Sequence, residues 1–166
     1  MKEIETERKY VILIPDREVL LRQSNFTESE ITQIYLNDPH LTHRIRKRKY
    51  ADRTEYTENT KRRISKYSSI EHEEIISEER FSELASNIEI GSRPLKKTRT
   101  TFDHCGKTIE LDRYDEWEKT CIMEVELGSE EESVSFPDFI KILKEVTGER
   151  QYSNHSMAKA FPNELI

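Results

Sequence analysis

The chain has 166 residues, of which 34% are hydrophobic and 36% charged, and 33 acids against 27 bases leave a net charge of -6. The length fits a single domain over residues 1–166 with a lean core of its own. The acidic balance argues against nucleic acid as a partner, and no apolar run is long enough for a membrane-spanning helix.

The first element is a strand over residues 3–13, in which Glu3, Glu5, Glu7 and Lys9 share one face. Pro15-Asp16 opens a short helical segment from Arg17 to Arg22, and residues 25–30 read as a polar connection. A second strand covers 31–36 and ends at the Asn37-Asp38-Pro39 turn. Strands three (42–50) and four (54–64) form a hairpin around Asp52-Arg53. Arg44, Arg46 and Arg48 share a face of one; Thr57, Asn59 and Lys61 share a face of the other. Strand five (70–76) aligns Glu71 with Glu73.

A helix follows, with Ser77 as N-cap and Phe81, Leu84, Ala85 and Ile88 as its apolar stripe. Strand six (95–102) aligns Lys97 with Arg99, and Asp103-His104-Cys105-Gly106 makes a turn. Strand seven (107–114) puts Glu110 and Asp112 opposite Ile109 and Leu111. Strand eight (120–127) puts Glu124 and Glu126 opposite Cys121, Met123 and Val125. Pro137 and Gly148 bracket an expected second helix carrying Phe136, Phe139, Ile140 and Leu143. The tail over 153–161 reads as one more short helix.

Cys105 and Cys121 have no metal-ligand spacing, and no signal-peptide core precedes the first strand. A reduced, cytoplasmic protein fits best, with a disulfide between neighbouring strands as the open alternative. The His residues form no zinc-type group.

Like-charged pairs at spacing two recur on nearly every expected strand. Singly, each fits a solvated face. Together they describe a sheet whose apolar side packs outward under helices and whose charged side faces inward. About eight antiparallel strands suffice to close such a sheet into a barrel. A lumen holding acids and bases together suits a polyanion gripped by Arg and Lys, with Mg²⁺ or Mn²⁺ on the carboxylates.

These residues resemble the CYTH-domain, or triphosphate tunnel metalloenzyme, family. Glu5-Thr6-Glu7-Arg8-Lys9 matches its Glu-x-Glu-x-Lys signature. Arg44-Ile45-Arg46, Lys61, Glu71-His72-Glu73, Lys97-Thr98-Arg99, Glu110-Leu111-Asp112 and Glu124-Val125-Glu126 follow in order. The likeness runs over about residues 3–160. Ile34 and Asn59 depart from it, standing where the family often has Gly and Thr; neither change removes a charge.

The resemblance implies an α+β fold, an eight-stranded antiparallel tunnel with helices packed outside. It also implies divalent-metal-dependent hydrolysis of a small triphosphate, inorganic triphosphate first. By the same resemblance Lys9, Arg44, Arg46, Lys61, Lys97 and Arg99 bind phosphate. Glu5, Glu7, Glu71, Glu73, Glu110, Asp112, Glu124 and Glu126 hold Mg²⁺ or Mn²⁺. Glu5, Glu7, Lys9, Glu124 and Glu126 carry the catalysis. A class IV-type adenylate cyclase, a thiamine triphosphatase and a non-catalytic polyphosphate-binding module stand as alternatives, and a homodimer is left open.

Overall fold

The computed structural model describes residues 2–166. Strands β1 (Lys2–Leu13), β2 (Ser24–Leu36), β3 (Thr42–Lys49), β4 (Thr54–Arg63) and β5 (Ser68–Ile75) precede β6 (Leu95–His104), β7 (Lys107–Arg113), β8 (Thr120–Glu126) and a short β9 (Ile142–Glu145). Helices α1 (Arg17–Leu21), α2 (Glu78–Ala85) and α3 (Asn154–Met157) are all short. The strand order β5-β4-β3-β2-β6-β7-β8-β1 is antiparallel throughout, and β5 pairs back onto β1. The result is a closed eight-stranded barrel, which leaves no long edge exposed.

Alternation sorts the side chains. The outward face of β1, β6, β7 and β8 presents Tyr10, Ile12, Phe102, Ile109, Leu111, Met123 and Val125, all buried. Phe26, Val134, Phe136 and Phe139 cover them. Burying each such side chain is worth about 1.5–3 kcal/mol, so this inverted sheet has a core outside its own barrel. On the opposite flank α2 lays Phe81, Leu84 and Ala85 over Ile34, Leu36 and Ile45. Ser77 caps that helix as expected, its side chain accepting from the Arg80 N–H at 3.0 Å.

Two expectations fail. Residues 25–30 are not a connection but the start of β2, where Thr27, Glu28 and Ser29 pair with Thr101, Thr100 and Arg99 of β6. Their polarity serves both faces: Ser29 is buried and accepts from Arg48 Nε at 2.9 Å, while on the outer face Glu28 binds Arg17 at 2.9 Å and Arg113 at 3.3 Å.

The second helix does not form. Residues 137–140 make a turn closed by Ile140 N–H to Pro137 O at 3.0 Å, and residues 142–145 are β9, paired with Tyr10, Val11 and Ile12. The cause lies in β1. One edge of β1 is zipped to β8 over residues 7–13. The other meets β5 only over residues 2–6, then passes to β9. Glu7 N–H donates to Tyr67 O at 3.0 Å on the near side of this seam, and Val146 N–H donates to Lys9 O at 2.8 Å beyond it. Unpaired backbone beyond Lys9 would be costly, so the sheet recruits the segment that local periodicity alone assigns to a helix. Phe136, Phe139 and Ile140 still reach the core.

Gly148 follows the seam with φ +75°, and a Cβ there would lie 2.5 Å from Lys66 Cγ. Gly148→Ala combines left-handed backbone with a clash, so it should lower stability by about 1–3 kcal/mol. A thermal melt checks this.

The barrel has two unlike ends. At one end lie the last residues of β1, β2, β4 and β7 and the first of β3, β5, β6 and β8. There Val11, Tyr35, Leu95, Tyr114, Trp117 and Ile122 meet Val146, Tyr152, Met157 and Phe161 from the C-terminal segment. This apolar plug closes that end on one side. Trp117 anchors it, its indole N–H donating to Pro162 O at 2.9 Å. At the other end no such cluster forms among the described residues. No helix of the described residues is long and apolar enough to cross a membrane.

Candidate active site

The barrel encloses a cavity of about 740 Å³. Inward positions of all eight barrel strands line it. β1 contributes Glu3, Glu5, Glu7 and Lys9, β3 contributes Arg44 and Arg46, and β4 contributes Lys61. Glu71 and Glu73 come from β5, Arg99 and Glu110 from β6 and β7, and Glu124 and Glu126 from β8. All but two of the charged residues expected at a site therefore share this space.

The two exceptions, Lys97 and Asp112, lie behind the lining. Lys97 Nζ donates to Asp112 Oδ2 at 2.7 Å, with side chains 0% and 2% exposed. Arg99 grips the same carboxylate with Nε at 2.8 Å and Nη2 at 2.9 Å. Its Nη1 reaches Glu110 at 2.7 Å. Burial pushes Lys97 down to about 7 despite Asp112. Against the upward pull of its own burial, Arg99 and Lys97 hold Asp112 well below the usual carboxylate range. Asp112 thus has both oxygens committed to fixing two cations.

Two of the cations that reach the cavity are under-satisfied. The Nε–H groups of Arg44 and Arg46 are buried and find no hydrogen-bond partner among the described residues. Arg46 Nη2 donates to Gln33 Oε1 at 3.1 Å. Burial, then repulsion from Arg44 and Arg99, lowers Arg46 to about 9. An orphaned buried donor costs about 1–3 kcal/mol, more when charged, so this wall is built at a cost that an anion would offset.

The carboxylates show the converse crowding. Glu5 hydrogen-bonds to Glu71, and that bond, burial and the Glu71 charge raise it to about 9. Burial and Glu124 raise Glu7 to about 7. Although burial opposes it, the bond from Glu5 together with Lys61 and Arg44 brings Glu71 down to about 2. Lys9, 3.2 Å from Glu124, does the same for that acid against its burial. Burial and the neighbouring Glu110 and Glu3 raise Glu126. In each pair, Glu5/Glu71 and Glu7/Glu124, the crowding favours taking up positive charge, which a proton or a cation can supply.

Their all-oxygen chemistry fits Mg²⁺ or Mn²⁺. Among the described residues no group of three or more His, Cys, Asp or Glu side chains is gathered to cage a metal unaided. Mg²⁺ does not require such a cage, since it is usually held by one or two carboxylates plus substrate phosphates and water.

Four lining or supporting residues receive no site role from the sequence. Tyr35 and Asn59 flank Arg44 in register on β2 and β4. Gln33 is fully buried and links Arg46 to the Tyr35 hydroxyl, its Nε2 donating at 3.0 Å. Asn59 Nδ2 donates to Glu71 Oε1 at 3.0 Å. Lys66 lines the cavity from the β4–β5 turn. Phase alone flags the first three, because each lies on the inward face of its strand.

Comparison with known proteins places this geometry. A model of the CYTH domain matches residues 3–161. The solved structure of the inorganic triphosphatase NE1496 is 26% identical with a TM-score of 0.60, the match covering 96% of this chain and 97% of that one. PH1819 from Pyrococcus horikoshii OT3 shares the fold at 24% identity and TM-score 0.57, over 76% of this chain and 80% of its own. HpAC1 from Hippeastrum, which has a dominant triphosphatase activity, shares the fold at 16% identity and TM-score 0.53, over 74% and 80%. None of the curated proteins matches. CYTH proteins are typically phosphohydrolases that bind triphosphates and generally use divalent metals. With the family model spanning nearly the whole chain and the closed barrel presenting its charges inward, this protein belongs to the CYTH family.

Proposed function

We propose that this protein hydrolyses inorganic triphosphate with the help of a divalent cation. The observation that carries the reading is the pair of buried, partnerless Arg Nε–H groups of Arg44 and Arg46, lining one cavity with two crowded carboxylate pairs, Glu5/Glu71 and Glu7/Glu124. Arg44, Arg46, Arg99 and Lys61 grip the phosphate oxygens, Arg by its fork and Lys as a point charge. Lys97 supports this grip through Asp112 and Arg99. Glu5 with Glu71 and Glu7 with Glu124 would hold Mg²⁺ or Mn²⁺, whose chemistry there would be to neutralise phosphate charge and lower the proton affinity of water. Glu73 and Glu110 would hold waters around it.

In the reaction, water attacks the terminal phosphorus and the bond from that phosphorus to its bridging oxygen breaks. Pyrophosphate leaves, and the water's proton passes to a carboxylate. Glu126, raised by its acidic neighbours and lying on the same strand face as Glu124, is our assignment for that acceptor. Positioning and charge neutralisation supply most of the acceleration.

The lining supports inorganic triphosphate over a nucleotide. A base would need an apolar or aromatic wall. The cavity offers Tyr35 as its one aromatic ring other than His155 among the described residues, and those two rings stack on each other at 4.9 Å. We expect triphosphate turnover with Mg²⁺ or Mn²⁺ to exceed that of ATP or thiamine triphosphate, giving orthophosphate and pyrophosphate. Cyclic AMP from ATP as the main product would install the cyclase reading instead. Tight triphosphate binding with no product would leave a binding module.

A further inference from the structure

The cavity is lined by exposed charged residues at both ends of the barrel, and the two sets are of opposite sign. The lining residues Glu3, Glu73 and Glu126 are exposed at the end where β1 and β7 begin and β5 and β8 finish. Glu110 lies just inside them. At the other end the apolar plug fills the side formed by β1, β2, β6, β7 and β8. The side at β3, β4 and β5 stays open, and exposed Arg63, Lys66 and Arg150 line it.

Of the acids near that second opening, Glu149 is paired with Lys144 at 3.1 Å, Glu89 with Lys159 at 2.6 Å and Glu145 with Arg8 at 2.6 Å, while Glu130 accepts from Ser65 Oγ at 2.9 Å. Arg63, Lys66 and Arg150 outweigh Glu130, so the excess charge there is positive. Its position is built: Arg63 Nη1 donates to Ser65 O at 3.2 Å and Lys66 O at 2.9 Å, and the Lys66 stem lies across Gly148.

We infer that a polyphosphate anion enters and is captured at the Arg63–Lys66–Arg150 opening, and that the acidic opening turns it away. This rests on the triphosphate reading of the cavity. The chain as a whole carries -6, so its far field repels such an anion. A local basic opening with low-dielectric walls reverses that sign at short range and typically raises association rates by about 10-fold to 1,000-fold. Lys61 lies one inward step beyond Arg63 on β4, so the anion passes from the rim to Lys61, then Arg44.

The test is the association rate of inorganic triphosphate, followed by stopped flow at low and high salt. Wild type is compared with the double variant Lys66→Glu/Arg150→Glu and with Glu3→Lys at the opposite opening. We expect the double variant to associate about tenfold more slowly at low salt, with the gap closing at high salt as charges are screened. Glu3→Lys should stay within about twofold of wild type. A double variant as fast as wild type, or a Glu3→Lys variant accelerated by a comparable factor, overturns the assigned entrance and leaves the triphosphate reading intact. A wild-type protein that neither binds nor hydrolyses triphosphate removes the reading itself.

Discussion

Asp112→Ala will be among the most destabilising single substitutions in this protein. Asp112 is 1% exposed and is the shared partner of Lys97 and Arg99. Its removal leaves two buried cations facing each other, and breaking a buried pair from one side typically costs about 3–5 kcal/mol. For a chain of this size that is a fall in melting temperature on the order of 10 °C. Asp112→Asn keeps an acceptor but loses the charge, so it should fall between Ala and wild type. Thermal denaturation of the three proteins decides the matter. A melting temperature for Asp112→Ala equal to that of wild type would mean that Lys97 and Arg99 rest on other partners.

Glu7→Gln should reduce triphosphate turnover on the order of 100-fold or more, since it removes a carboxylate from the cation-holding pair with Glu124 while preserving shape. The same variant has a second signature. Glu7 is raised from 4.5 to about 7 in the folded protein. The native state therefore binds the proton more tightly than the unfolded chain, and the associated stability is fully present below about pH 4.5 and lost as pH rises through about 7. In metal-free buffer, the melting temperature of wild type relative to Glu7→Gln should decline across that window. Added Mg²⁺ or Mn²⁺ should flatten the decline by replacing the proton. A pH-independent difference, with turnover unchanged, would show Glu7 to be an ordinary buried acid.

Much of this architecture could be read from alternation alone. The inward phase of β1, β3, β5 and β8 follows from Glu5, Arg44, Glu71 and Glu124, because charges at spacing two have only one face to share. Depth along the barrel is a different matter. Lys97 and Asp112 have the inward phase, yet lie behind Arg99, and phase carries no information about how close a residue sits to the plug. Residues 137–148 were misleading for a related reason. Their apolar spacing, Pro137 and Gly148 satisfy a helix locally, whereas the free edge of β1 beyond Lys9, a feature distant in sequence, decides the outcome. Gln33, Tyr35 and Asn59 receive no site role from the sequence because uncharged side chains do not stand out in a count of charges, although their register with Arg46 and Arg44 makes them part of the same wall.

The seam along β1 also bears on how the chain reaches this state. The opening twelve-residue strand takes its partners from Ser68–His72, Thr120–Glu126 and Ile142–Glu145. During synthesis it precedes all three partner segments and waits for the last of them, Ile142–Glu145. Contacts so distant in sequence are slow to form, and an unzipped strand edge invites association with other chains in the interval. The charged row Glu3, Glu5, Glu7, Lys9 keeps that waiting segment hydrated before it comes to line the cavity.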